Sequence, residues 1–197
     1  MIDYERLGKA VGYYRDLGFH QVAAPRAVSY SAVDLTCPPD GKYYELKENT
    51  GRNKGYLVAS GEQSFLQMIL DGKLPKGRHQ ALTPCFRGDI LDELHHRWFM
   101  KLELIHYLGD VDDHWDLVAE ELTDAAMGFF SQYLVAVEVP TAPERPELDI
   151  PGTTWDICMD NPRIELGSYG VRHHPLIGTW IYGTGLAEPR FSQALSL

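Results

Sequence analysis

With 197 residues and a formal net charge of −10, the chain is long enough for one sizeable core and short for two domains. A single domain over residues 1–197 is therefore expected, and the acidic balance argues against broad electrostatic capture of nucleic acid. No signal peptide begins at Met1, no apolar run approaches membrane-spanning length, and Cys37, Cys85 and Cys158 lack any paired spacing. A cytoplasmic protein with reduced thiols and no membrane partner is therefore expected.

Residues 4–17 carry Leu7, Val11, Tyr14 and Leu17 at helical spacing, and Gly18 stops that helix. A short strand is predicted over 19–24, ended by Pro25. Residues 29–53 are turn-rich, with a strand at 42–47. An apolar strand at 56–59 leads into a helix over 60–70, whose spacing shows in Phe65, Met68 and Ile69. Glu62 falls in the first turn of that helix, where a carboxylate either serves the helix dipole or faces a site.

Residues 85–107 read as two apolar-rich arms around a polar centre at 89–97, the pattern of antiparallel strands joined by a long loop. Arg87 offers a planar, permanently charged fork suited to phosphate or carboxylate. Phe99 offers a flat face to a base. His95, Phe99 and Glu103 are four apart, so a strand puts them on one surface.

Asp112 or Asp113 can cap a long helix ending near Tyr133, with an apolar stripe from Trp115 through Phe129. A strand follows at 135–139, then a proline-rich connection at 141–152, the segment most suited to mobility. Two strands, 155–159 and 163–168, flank the turn Asp160-Asn161-Pro162. Glu165 sits between apolar neighbours and precedes Gly167 and Ser168, so it points either to solvent or to a site that small residues open. The last stretch reads as a strand from Trp180 that passes through a glycine turn into a helix starting near Pro189. Adjacent histidines at 95–96 and 173–174 have no accompanying ligands to suggest a metal.

Taken together, these stretches resemble the three motifs of class II aminoacyl-tRNA synthetases, in order and over nearly the whole chain. Phe86, Arg87, Asp89, His95, Phe99 and Glu103 fill every slot of motif 2. The helix, Gly18-Phe19, strand and Pro25 resemble motif 1, which implies a homodimer. Gly183, Gly185 and Arg190 resemble motif 3, although Ala187 stands for its third glycine, Pro189 for its acid, and the helix beyond Arg190 is short. The implied fold is mixed α/β: a mainly antiparallel sheet flanked by helices, with ATP on its open face.

The resemblance implies attack by a carboxylate on the α-phosphorus of ATP, with Mg2+ as cofactor. Arg87 would bridge the acid's carboxylate and the α-phosphate, while Arg190 and His95 would hold the γ-phosphate. Phe99 and Arg190 would sandwich the adenine near Asp89, and Gly183 and Gly185 would serve the nucleotide. Glu165 and Glu103 would ligate magnesium. Ser60, where threonine is usual, and Glu62 belong to the loop that recognises an amino group; Gly167 and Ser168 form the floor for the acid. Trp155, Ile157, Gly178 and Trp180 are further pocket candidates.

The chain is expected to lack an anticodon-reading domain, and Asp89, Asp92 and Glu93 put negative charge where a synthetase would meet RNA. tRNA is thus an unfavoured partner. The expected function is activation of an amino or related carboxylic acid, followed by transfer to a small molecule or protein. A catalytically degenerate regulatory or scaffolding subunit is the alternative.

Overall fold

The computed structural model describes residues 1–37, 41–88, 96–110 and 114–197. Helix α1 (Tyr4–Asp16) starts where Asp3 accepts a hydrogen bond from Arg6 N at 2.8 Å. It buries Leu7, Ala10 and Tyr14, residues that share one helical stripe, and ends at Gly18, whose φ of 88° suits glycine.

A seven-stranded sheet organises the chain in the order β1-β5-β6-β10-β9-β8-β7. Its strands are β1 (His20–Gln21), β5 (Gly77–Phe86), β6 (Trp98–Gly109), β7 (Ala136–Pro140), β8 (Asp149–Met159), β9 (Ile164–His174) and β10 (Gly178–Glu188). Only β1 pairs in parallel, with β5; the remaining neighbours run antiparallel. A smaller sheet is formed by β2 (Ala27–Val28), β3 (Glu45–Lys47) and β4 (Asn53–Leu57), with β4 central.

Strand alternation separates two apolar layers. Leu102, Leu104 and Ile181 join Leu7, Tyr14, Leu122 and Phe129 in a core under α1 and α4 (Trp115–Phe130). Ile105, Trp180 and Tyr182 point the other way, toward Phe65 and Leu66 of α3 (Gly61–Leu70). Since α3 covers only part of this second face, the remainder stays open for a site. The fold class is as expected: a mixed α/β arrangement with a mostly antiparallel sheet flanked by helices.

Several predicted bounds shift. The strand after Gly18 shrinks to His20–Gln21. A short α2 (Tyr30–Asp34) stands inside the stretch read as turns, capped by Ser29 Oγ accepting from Ala32 N at 3.4 Å. Five residues are too few to display a helical period. Helix α4 stops at Phe130 and has His114 at its N-cap, while Asp112 and Asp113 lie outside the described residues.

The largest correction concerns the C-terminal third. Residues 141–152 are not one long connection, because β8 already begins at Asp149, which pairs with Arg172 of a longer β9. Nor is there a glycine turn after Trp180: β10 runs unbroken to Glu188, with a register shift between Thr184 and Leu186. Its glycines serve packing. A Cβ on Gly183 would lie 2.5 Å from the Tyr169 ring and 2.6 Å from Leu122, and one on Gly185 2.9 Å from the Tyr14 ring. A short α5 (Arg190–Ala194), N-capped at Pro189, closes the fold. Among the described residues, no helix is long and apolar enough to cross a membrane.

Candidate active site

A cavity of about 230 Å³ opens on the face that α3 leaves uncovered. Strands β6, β10 and β9 supply Phe99 and Lys101, Tyr182 and Thr184, and Glu165, Gly167, Ser168 and Arg172. Ser60 and Glu62 border it at the start of α3, Arg87 just beyond β5, and Arg190 at the start of α5. Residues far apart in sequence meet because central antiparallel strands turn alternate side chains onto one face.

Arg87 is oriented from two sides. Its Nε donates to Ala59 O at 3.1 Å, and its guanidinium lies 5.3 Å from the Phe99 ring centroid. The backbone fixes this approach, since Cys85 pairs with Phe99 and Arg87 N donates to Arg97 O at 3.0 Å. A flat ring and a charged fork therefore adjoin on one wall.

Ser60 occupies the N-cap of α3 without making the usual side-chain capping bond. Its hydroxyl instead donates to Glu103 Oε2 at 2.8 Å, and Lys101 Nζ reaches the same oxygen at 2.9 Å and Ser60 Oγ at 3.3 Å. Glu103 is fully buried, and its Oε1 has no hydrogen-bond partner among the described residues. It lies behind the cavity wall, already neutralised by Lys101, which makes it a poor magnesium ligand; this part of the expected ligand pair is not supported.

Glu62 is 4% exposed. Its Oε2 accepts from Arg172 Nη1 at 2.8 Å and its Oε1 from Trp180 Nε1 at 2.7 Å. Arg172 in turn donates through Nε to Asp149 Oδ1 at 2.6 Å and stacks 4.2 Å from the Tyr182 ring centroid. Burial pushes the Glu62 carboxyl above the usual range, against the pull of Arg172 and Trp180. Burial also works against the Arg172 charge, but Glu62, Tyr182 and Asp149 outweigh it and raise its pKa. Glu62 thus borders the cavity, and its carboxylate is engaged from within the protein.

On the opposite wall, Arg190 Nη1 donates to Glu165 Oε1 at 3.0 Å, and Ser168 Oγ donates to the same oxygen at 3.3 Å. Asp156 lies near Glu165, and its carboxyl is pushed up to about 6 by burial first and Glu165 second, against a hydrogen bond from Ser168. A Cβ on Gly167 would lie 2.4 Å from Thr184 Cβ, so glycine gives the Thr184 side chain its room.

Ser60, Glu62, Arg87, Phe99, Glu165, Gly167, Ser168 and Arg190 therefore share one cavity. Asp89 and His95 lie outside the described residues, as do Asp92 and Glu93. Gly183 and Gly185 do not line the cavity; they pack toward α4 and α1. Trp155 and Ile157 belong to the core under those helices, Gly178 lies against Gly109, and Trp180 sits beneath Glu62; none lines the cavity. Among the described residues no group of histidine, cysteine or acidic side chains could hold a metal by itself.

The sequence reading missed Lys101 and Arg172. Lys101 is two residues beyond Phe99, so strand period alone places it on the same surface. Arg172 was hidden because β9 was ended at Ser168, short of its observed end at His174.

No family model matches the chain, and no curated protein does. Solved structures do match. The cytoplasmic serine-tRNA ligase of Naegleria fowleri, in complex with AMP, superposes with a TM-score of 0.75 at 15% identity, covering 93% of this chain and 46% of that one. A pyrrolysyl-tRNA synthetase of Desulfitobacterium hafniense matches in one structure at 0.72 and 18% identity, over 98% of this chain and 66% of that one. A second structure of it matches at 0.70 and 18%, over 98% and 69%. The chain thus spans about half to two thirds of the length of these proteins, and over that span it has the fold of the class II aminoacyl-tRNA synthetase catalytic core.

Proposed function

We propose that the cavity binds ATP and activates an amino acid or related carboxylic acid as its acyl-adenylate, for transfer to a small molecule or protein. A carboxylate oxygen attacks the α-phosphorus, the bond to the β-phosphate oxygen breaks, and pyrophosphate leaves. The nucleophile is ionised at neutral pH, so alignment and charge cancellation are what the protein must supply. The observation that supports this most is the meeting of Arg87, Phe99, Lys101 and Arg190 on one cavity. It provides a ring for the base and cations for the phosphates and the attacking carboxylate. The Naegleria protein, which shares the fold, is in complex with AMP, which agrees with an adenine nucleotide as a ligand here.

In this reading Arg87 joins carboxylate and α-phosphate, Phe99 stacks on adenine, and Arg190 turns from Glu165 to the γ-phosphate. Magnesium usually takes one or two protein carboxylates and completes its shell with water and phosphate oxygens. Glu165, at the cavity and beside Asp156, fits that donor set; Glu103 does not. The ion would offset phosphate charge as pyrophosphate departs.

One observation favours a catalytically degenerate subunit instead: the 3.0 Å contact between Arg190 and Glu165 ties up the groups meant for γ-phosphate and metal. Calorimetric ATP titration with magnesium, together with exchange of labelled pyrophosphate into ATP, separates the two. The ligase reading expects ATP binding and acid-dependent exchange, with Arg87→Ala lowering exchange ~100-fold or more. Wild-type protein that binds no ATP and exchanges with no acid would establish the degenerate reading.

A further inference from the structure

We propose that the acid activated here carries a hydrogen-bond acceptor, a hydroxyl, an oxo group or a second carboxylate, where an amino acid carries its α-ammonium. The inference rests on the acyl-adenylate reading and names the substrate class for it.

An ammonium needs anionic or neutral acceptors that protein donors have not already taken. Glu62, the carboxylate positioned for that task, accepts from Arg172 at 2.8 Å and from Trp180 at 2.7 Å, one donor on each oxygen. Arg172 does not swing aside easily. It is 2% exposed, tied to Asp149 at 2.6 Å and stacked on Tyr182. A substrate ammonium drawn to Glu62 would be set beside this buried guanidinium, where little water screens the repulsion.

The other carboxylates near the cavity do not replace Glu62. Glu103 lies behind the wall, with Lys101 and Ser60 on Oε2; its Oε1, unpartnered among the described residues, is fully buried outside the lining. Glu165 is taken by Arg190, or by magnesium once Arg190 turns to the γ-phosphate, and Glu188 is held by Arg6 at 3.0 Å and by Ser192 N at 3.3 Å. Glu144, the remaining lining carboxylate, is itself exposed on the connection before β8, where water competes for any ammonium.

What the cavity offers instead is donors. Lys101 lines it and its ammonium has a donor beyond the Glu103 and Ser60 contacts, and Arg172 and Ser60 also line the cavity. Such a lining pairs with oxygen acceptors and leaves an ammonium facing like charge. Buried polar groups reject a ligand that leaves them unpaired, so discrimination between the two acid classes should be marked.

The test is pyrophosphate exchange over matched acids: lactate against alanine, malate against aspartate, 2-oxoglutarate against glutamate, phenyllactate against phenylalanine. At least one acceptor-bearing acid should exchange faster than its amino partner by ~10-fold or more in kcat/KM. Lys101→Met, checked for folding by circular dichroism, should bring that ratio toward one. Faster exchange with the amino member of each productive pair overturns the inference and leaves acyl-adenylate formation standing. No exchange with either series, by protein that is folded, overturns both. A Lys101→Met protein with an unchanged ratio overturns the assignment of the preference to this donor.

Discussion

Replacing Glu62 with Gln tests the buried charge network most directly. Glu62 and Arg172 are 2.8 Å apart in a region almost closed to water, and Arg172 has Asp149 as a second anionic partner. Removing one member of a buried pair typically costs ~3–5 kcal/mol, because the partner's charge is left uncompensated. Asp149 retains part of that compensation, which sets the expected loss at the lower end, about 3 kcal/mol. The amide adds about 1 kcal/mol, since its one oxygen can serve Arg172 or Trp180 but not both. These figures describe losing a partner. They do not make the pair a net stabiliser, and burial raising the Glu62 pKa shows the cost of placing it there. Urea unfolding followed by tryptophan fluorescence reads the change. With a slope near ~2 kcal/mol per molar, the midpoint should fall by roughly 1.5–2 M. A fall below ~0.5 M at unchanged slope would refute the claim that Arg172 depends on this carboxylate.

Gly183→Val should destabilise by about 1–3 kcal/mol through overpacking against Tyr169 and Leu122, lowering the melting temperature by several degrees; lost ATP affinity at unchanged melting would instead return this glycine to the nucleotide site. If residues 4–25 act as motif 1, the protein should be a two-fold dimer, and light scattering that finds a monomer at micromolar concentration removes that assignment. Asp156, at about 6, binds its proton more tightly in the fold than when unfolded. Its contribution to stability is therefore present below pH ~4 and lost as pH rises through about 6, a fall that Asp156→Asn should flatten in pH-dependent unfolding.

The parts of the fold that showed in the sequence are those whose period is long enough to repeat. Leu7 and Tyr14 mark α1, Phe65 marks α3, and the apolar arms around Arg87 mark β5 and β6. Shared faces followed from the strand period, so Phe99 and Glu103 were rightly placed together, but burial does not follow from facing. Glu103 lies on the correct surface and is covered by Ser60 and Lys101. Strand ends were the weak point. Ending β9 at Ser168 hid Arg172, and starting β8 at Trp155 hid Asp149, so the network that engages Glu62 showed only Glu62 and Trp180 and neither of its other charged members. Gly183 and Gly185 illustrate a different limit. A glycine can be required by a turn, a ligand or a neighbouring ring, and only the positions of Tyr169 and Tyr14 distinguish these.

The departures at the end of the chain also acquire a physical reading. Helix α5 spans only Arg190–Ala194, too little to hold its own direction through helical hydrogen bonds. Phe191 anchors it instead, fully buried and in ring contact with Phe130 at 5.4 Å and Tyr133 at 5.6 Å. Glu188 fastens the preceding turn from the other side, accepting from Arg6 of α1 and from Ser192 N within α5. Arg190 lies between these two anchors, so its place at the cavity depends on side-chain packing and a buried ion pair more than on helix length. Ala187 borders the cavity without obstructing that arrangement, and Pro189 occupies an N-cap, where its missing N–H is not needed for the helix. The substitutions that make the last motif irregular therefore fall at positions where backbone and packing tolerate them, and the arginine they surround still reaches the site.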